Sequence, residues 1–171
     1  MIREMVAAGA EYDVAVYGTE ALGVMRVEKG HVAGNELNGQ SSALNMGLGK
    51  MVSQKKDAIG KVLSQREGMI RDGGYRIVGV KPGNPAVAVR AGSHFRANGA
   101  QAVAANDGGW LTSVVYSPHM GHSIALGYLR DGDKRMGERL RAVNLLAGGS
   151  EVAVEIVSPH FVDPDGERLR G

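Results

Sequence analysis

The sequence predicts an α+β chain with helices and strands segregated along its length, and three observations carry that prediction. Apolar side chains in residues 1–68 recur at helical spacing, whereas from about residue 74 onward they follow the shorter period of strands. Glycine is abundant, 26 residues against five prolines, with no collagen-like repeat. So many glycines imply tight turns and close backbone approaches, which suit short strands better than long helices. The stretch REGMIRDGG (66–74) is the predicted seam between the halves.

Each element has its own signal. Ile2, Met5 and Val6 share one face of a first helix that Gly9 ends. Thr19 is placed to cap a second helix beginning at Glu20, with Leu22, Met25 and Arg26 at helical spacing and Gly30 as its stop. Asp57 is the expected cap of AIGKVLSQRE, where Ile59, Val62 and Leu63 form an apolar face and Gly68 closes the helix. Six strands follow: 75–80, 101–105, 111–117, 123–129, 139–146 and 151–157, separated by clusters such as NDGG, DGD and AGGS. Their regular spacing fits a small antiparallel barrel or sandwich, with Asn106 to Gly109 as a hairpin turn.

Composition narrows the function classes. At 171 residues the chain is one medium domain or two small ones, and 43% apolar with 22% charged residues is ordinary for a globular fold. The formal net charge is +2, and no block of five like charges exists, which argues against a nucleic-acid tail. Lys55, Lys56, Lys61, Arg66, Arg71 and Arg76 form a diluted basic stretch, readable as a solvated face or as a small-anion site. Cysteine is absent, which excludes disulfides, thiol catalysis and thiolate metal sites. No apolar run approaches the roughly 20 residues that span a bilayer, and the first residues lack the pattern of a signal peptide. A soluble, cytoplasmic protein is the expectation.

Common catalytic motifs fail on spacing. GLGKMV (47–52) has Val52 where a dinucleotide fingerprint needs its third glycine, and neither Gly49-Lys50 nor Gly60-Lys61 completes a phosphate loop. His119 and His122 lie close in SPHMGHS, but no neighbouring acid completes a metal set, so no metal is expected. No G-x-S-x-G elbow occurs.

At YGTEALGVMRVEKG (17–30) the chain resembles the α subunits of heterotetrameric sarcosine oxidases and, more broadly, the aminomethyltransferase (glycine cleavage T-protein) family. Arg26-Val27-Glu28-Lys29-Gly30 matches the family's arginine-x-glutamate-small-glycine turn. Gly47-Leu48-Gly49 and the Lys55 to Gly60 segment match a following GLG…KKDFIG pattern, with Ala58 in place of the aromatic. LTSVVYSPHMGHSIALGYL (111–129) and EVAVEIVSPHFVDPDGERLRG (151–171) resemble the family's barrel signature and closing strand. The absence of a cysteine after Lys29-Gly30 counts against the iron–sulfur-associated folate proteins.

The resemblance implies a division at residue 68. Residues 1–68 would be the last part of a T-protein-like folate-binding domain, and residues 69–171 the antiparallel C-terminal barrel. It implies tetrahydrofolate as cofactor, other sarcosine oxidase subunits as partners, and FAD, FMN and NAD only in parts or subunits outside this chain. It also implies capture of the imine from sarcosine oxidation as 5,10-methylenetetrahydrofolate. The family's catalytic aspartate has no counterpart here, so no catalytic residue is expected and the isolated chain would not be catalytic. A truncated aminomethyltransferase and a non-catalytic assembly module are the alternatives.

Glu28 is the residue on which the folate reading turns. The pterin ring shows two adjacent donors that a carboxylate accepts in a fork, and the resemblance assigns that role to Glu28. As a bare residue Glu28 reads first as a surface acid paired with Arg26, Lys29 or Lys56; only the resemblance favours the pterin role. Arg26 is placed either to brace Glu28 or to touch ligand. Lys55, Lys56 and Arg76 are the candidates for the folate carboxylates, and Trp110, Tyr116 and Tyr17 for ring stacking, against core packing for each aromatic.

Overall fold

The computed structural model describes residues 1–53 and 55–170; Gln54, in the basic stretch, and Gly171 lie outside the described residues. Its centre is a closed antiparallel barrel of six strands: β1 (Tyr75–Pro82), β2 (His94–Arg96), β3 (Gly109–Ser117), β4 (His122–Arg130), β5 (Arg139–Asn144) and β6 (Ser150–Val157). The order around the barrel is β1-β4-β3-β2-β5-β6, and pairing of Gly79–Pro82 with Val154–Val157 closes it. Closure leaves no free sheet edge to aggregate. Of the two expected architectures, the barrel is the one formed.

Strand alternation sorts the apolar residues into two layers. Val78, Val80, Phe95, Leu111, Ala125, Leu129, Leu140, Val154 and Ile156 fill the interior. Their neighbours Ile77, Ile124, Leu126 and Tyr128 face outward from β1 and β4, yet they are buried too. What covers them is the second helix and the chain on either side of the barrel, through Val27, Val32, Met46 and Phe161. A sheet buried on both faces reads as a continuous apolar run, which is why SIALGYL looks so strongly strand-like.

The helices are α1 (Ile2–Ala8), α2 (Thr19–Lys29), α3 (Lys61–Ser64), α4 (Glu67–Ile70) and α5 (Glu167–Arg170). Gly30 ends α2 as expected, in the left-handed region at φ 78°, with a Schellman pair: its N–H bonds the Val27 carbonyl, and the His31 N–H the Arg26 carbonyl. The next two carbonyls bond a strap after β6. Phe161 and Val162 donate their N–H groups to the Glu28 carbonyl at 2.9 Å, and the Lys29 carbonyl accepts from His160 Nδ1 at 2.9 Å. Thus the C-terminal end of α2 is hydrogen-bonded to the chain that leaves the barrel, and its orphan carbonyls are satisfied. At Gly79 the strap runs so close that a Cβ would lie 2.2 Å from the Ser158 carbonyl oxygen.

Several expectations are corrected. Thr19 is the first residue of α2 rather than its cap; Gly18 holds that position without a side-chain bond. AIGKVLSQRE is not one helix from Asp57, because Gly60 adopts φ 86° and the helical turns begin only at Lys61 and again at Glu67, with Gly68 inside α4. Ile59, Val62 and Leu63 are exposed, so the expected apolar face has nothing to pack on. Residues 101–105 form no strand; a 3₁₀ turn at Ala104–Asn106 precedes β3, and NDGG is therefore no hairpin. The sixth strand is β2, only three residues long, which gave too short a period to see.

Candidate functional site

The candidate site lies where α2 and the loop after it meet the outer face of β3. Its position depends on an irregularity in that strand. Leu111 pairs with Gly127 and Ser113 with Leu126, so Thr112 is an extra residue in the ladder. A bulge of this kind re-aims side chains: the hydroxyls of Thr112 and Ser113, which regular alternation would send to opposite faces, converge on one carboxylate.

That carboxylate is Glu36. It is fully buried, at 0% exposure, in a 3₁₀ turn at Gly34–Glu36. Oε1 accepts from Thr112 Oγ1 at 2.5 Å and Ser113 Oγ at 2.6 Å, while Oε2 accepts from Arg26 Nη1 at 2.9 Å and the Ala33 N–H at 3.0 Å. Arg26 Nη2 donates in turn to Ser113 Oγ at 2.8 Å, so guanidinium, hydroxyl and carboxylate form a closed ring. Tyr128 donates its hydroxyl to the Glu36 carbonyl at 2.7 Å. Burial pushes the Glu36 carboxyl up, but the bonds from Ser113, Thr112 and Ala33 and the Arg26 charge outweigh it and hold the group below the usual glutamate range. Burial raises the Tyr128 hydroxyl, and the Glu36 charge raises it further, against a Ser41 contact that lowers it.

Arg26 is the member of this ring that reaches the surface. Its side chain is 26% exposed, and the ring uses one hydrogen on each terminal nitrogen, with a long contact from Nη1 to the His31 carbonyl at 3.4 Å. A guanidinium has five N–H donors in a rigid fork; Nε–H and the second Nη2 hydrogen remain for an acceptor. The chemistry available here is a fixed cation with spare donors, suited to holding a carbonyl, ring nitrogen or carboxylate.

Glu28 sits on the other side of α2, half-buried, with Oε1 accepting a short hydrogen bond from Ser117 Oγ. Ser117 is itself fully buried and accepts the Met120 N–H at 3.0 Å. Arg26 does not brace Glu28; its acid is Glu36. Nor do the two converge, because helix positions two apart face different ways. Their hydroxyl partners Ser113 and Ser117 are also four residues apart on β3, about 13 Å at strand rise. Lys29 turns to Asp163, at 3.2 Å from Oδ2.

The remaining sequence candidates are dispersed. Tyr116 is 64% exposed and, by alternation, faces away from Ser117 and Glu28. Arg76 donates to its neighbour's carbonyl, Tyr75 O, at 3.0 Å and stands 3.9 Å from Asp133. Lys55 and Lys56 are exposed in the loop between α2 and α3, and Tyr17 is exposed before α2. Trp110 packs against Tyr75 and Tyr128 on the outer face of the barrel. His119 lies in the turn after β3, and among the described residues no three His, Asp or Glu side chains are grouped to hold a metal. No described helix is long and apolar enough to cross a membrane.

Glu36 escaped sequence reasoning. Its partners Thr112 and Ser113 are 76 and 77 residues away, and no periodicity marks an acid between Asn35 and Leu37. The one local trace is its reach back three residues to the Ala33 N–H, the return half of a capping box without a capping hydroxyl.

The family profile of the glycine cleavage T-protein C-terminal barrel domain matches residues 76–163. The chain belongs to that family. The sarcosine oxidase subunit alpha of Rhizobium meliloti (strain 1021) is 44% identical to this chain over 166 residues, and that of Corynebacterium sp. (strain P-1) 32% over 174. These alignments take in 96% and 98% of the present chain but 17% of each relative. The glycine cleavage system aminomethyltransferase T of Bartonella henselae shares the fold, with a TM-score of 0.72 at 22% identity over 95% of this chain and 44% of that one.

Proposed function

We propose that this T-protein-type barrel is the tetrahydrofolate-holding part of a sarcosine oxidase α-type subunit, with residues 1–68 belonging to a T-protein-like folate-binding domain and 69–171 forming its barrel. The observation that carries the reading is the 44% identity spread over 96% of the chain. The Arg26 ring supports it. Folate presents carbonyl and ring-nitrogen acceptors at its pterin and carboxylates at its tail, and Arg26 offers spare donors that the Glu36 and Ser113 bonds hold in one orientation. Orientation fixed before binding lowers the entropy cost of holding a ligand.

Glu28 enters the proposal on different terms from the two-oxygen fork. Oε1 is occupied by Ser117, which leaves Oε2 to accept one pterin donor, or both oxygens if the serine yields. When bound, tetrahydrofolate supplies the nucleophilic nitrogens that take up a one-carbon unit; this chain's side chains bind and orient and transfer no proton. Partner subunits and the flavin and nicotinamide groups belong to the same proposal, outside this chain, as does a cytoplasmic location.

The test is calorimetric titration of the assembled enzyme with 5-formyltetrahydrofolate. Arg26→Lys, which keeps the charge but loses the fork, is expected to weaken binding about tenfold or more, the scale of one charge-assisted hydrogen bond. Flavin content should not change. Unaltered affinity in that variant would remove Arg26 from the site, and no binding to the wild type would remove the folate reading. A second reading, a subunit-assembly module, is favoured by the exposure of Ile2, Met5, Tyr12, Val16 and Leu22. It predicts normal folate affinity and failed assembly when Ile2 and Met5 are made serine.

A further inference from the structure

A pocket of about 330 Å³ opens beside Tyr128, whose hydroxyl bonds the Glu36 carbonyl. Its floor is aromatic. Trp110 on β3 meets Tyr75 edge to face at 4.9 Å between ring centroids and Tyr128 at 5.7 Å. Asn38 and Gln40 from the loop after α2 and Arg71 at the end of α4 add polar groups to the lining. Arg130 lies over the Tyr75 ring at 5.3 Å, fixing it and adding positive charge behind the floor. Among the described residues no acid stands within ion-pair distance of Arg71 or Arg130. A pocket of this size with an apolar floor and few convergent polar groups is the usual form of a small-molecule site.

We infer that this pocket binds a planar aromatic anion: a ring against Trp110 and Tyr75, and a carboxylate or comparable group paired with Arg71. The chemistry selects both features. An edge-to-face aromatic pair with an open flank prefers a flat π system over an aliphatic one, and an unpaired arginine in the lining prefers a charged group over its neutral amide. The site uses none of the side chains of the Arg26–Glu36–Ser113 ring, so it stands or falls independently of the folate proposal.

Trp110 is the chain's single tryptophan, which makes the pocket report its own occupancy. The full chain is titrated with benzoate, benzamide and cyclohexanecarboxylate, following Trp110 emission and, in parallel, saturation-transfer NMR of each probe. Benzoate is expected to shift the emission and saturate, with benzamide and cyclohexanecarboxylate at least about tenfold weaker, the scale of one charged contact or one ring contact. Arg71→Gln, at an exposed position where folding is not at stake, should bring benzoate down to the level of benzamide and leave benzamide unchanged. Trp110→Leu should abolish the preference for benzoate over cyclohexanecarboxylate. Equal binding of all three probes, no saturable benzoate signal, or an Arg71→Gln variant that still prefers benzoate would overturn the inference, whatever the folate titration shows.

Discussion

Helices α1 and α2 carry similar sequence signals and meet different fates. Both begin from amphipathic spacing and both stop at a glycine, yet α2 buries Val27 completely and ties both its side chains and its last carbonyls to the barrel, whereas α1 has no buried residue. The difference lies in the polar partners. Around α2, Arg26, Glu28 and Lys29 each find a specific acceptor or donor on β3 or on the strap after β6. Around α1, Ile2, Met5 and Val6 face solvent, as do Ile59, Val62 and Leu63 near α3. Apolar periodicity therefore marks a face that is able to pack; long-range polar contacts decide where it does.

Mutations can break this contrast in graded steps. Removing the Glu36 carboxylate by Glu36→Ala leaves two buried hydroxyls without their acceptor and the part-buried Arg26 without its acid. It should cost about 3–5 kcal/mol, the usual loss when one partner of a buried ion pair is deleted, read as a lower urea midpoint. The same group sets a pH signature. Its folded-state pKa is depressed, so its stabilisation is fully present above the ordinary glutamate range and is lost as pH falls through that range to the folded value. Thermal melts of the wild type should therefore steepen their decline on acidification there, and Glu36→Gln should flatten it.

Gly30→Ala comes next. It forces a Cβ into positive φ and to 2.4 Å from the Pro159 carbonyl oxygen, so the strap or the helix end must shift. About 1–3 kcal/mol is expected for such strain, again by urea titration. Ser117→Ala removes the donor to Glu28 and should cost roughly 1.5–3 kcal/mol, the range for a hydrogen bond to a charged group. At the small end, Ile59→Ser touches nothing and should change stability by less than about 0.5 kcal/mol. A large loss there would show that the α3 region is packed after all.

How much was legible in the sequence follows the same divide. The strands of the barrel were readable because branched residues bounded by turn residues specify them locally, and five of them stand where the spacing put them. QAVAA misled because alanine and one valine lack the bulk to hold a strand without a pairing partner, and β2 was missed because a ladder of three residues shows no period. At the candidate site, the sequence singles out Arg26 and Glu28 through the turn they share with a family, but not the partners the structure gives them. Glu36, Thr112 and Ser113 converge only because a bulge in β3 turns two consecutive hydroxyls to one face, and nothing near residue 112 in the sequence announces an extra residue in the ladder.

Ligand holding is proposed at the barrel-bound edge of α2, away from its exposed flank. Hydrogen exchange of the assembled enzyme, with and without 5-formyltetrahydrofolate, tests that location without any mutation. Slower exchange at residues 26–36 and 112–117, with residues 1–15 and 55–70 unchanged, is the predicted result. Saturating ligand that leaves 26–36 untouched, or that protects only the α1 and α3 regions, would contradict it.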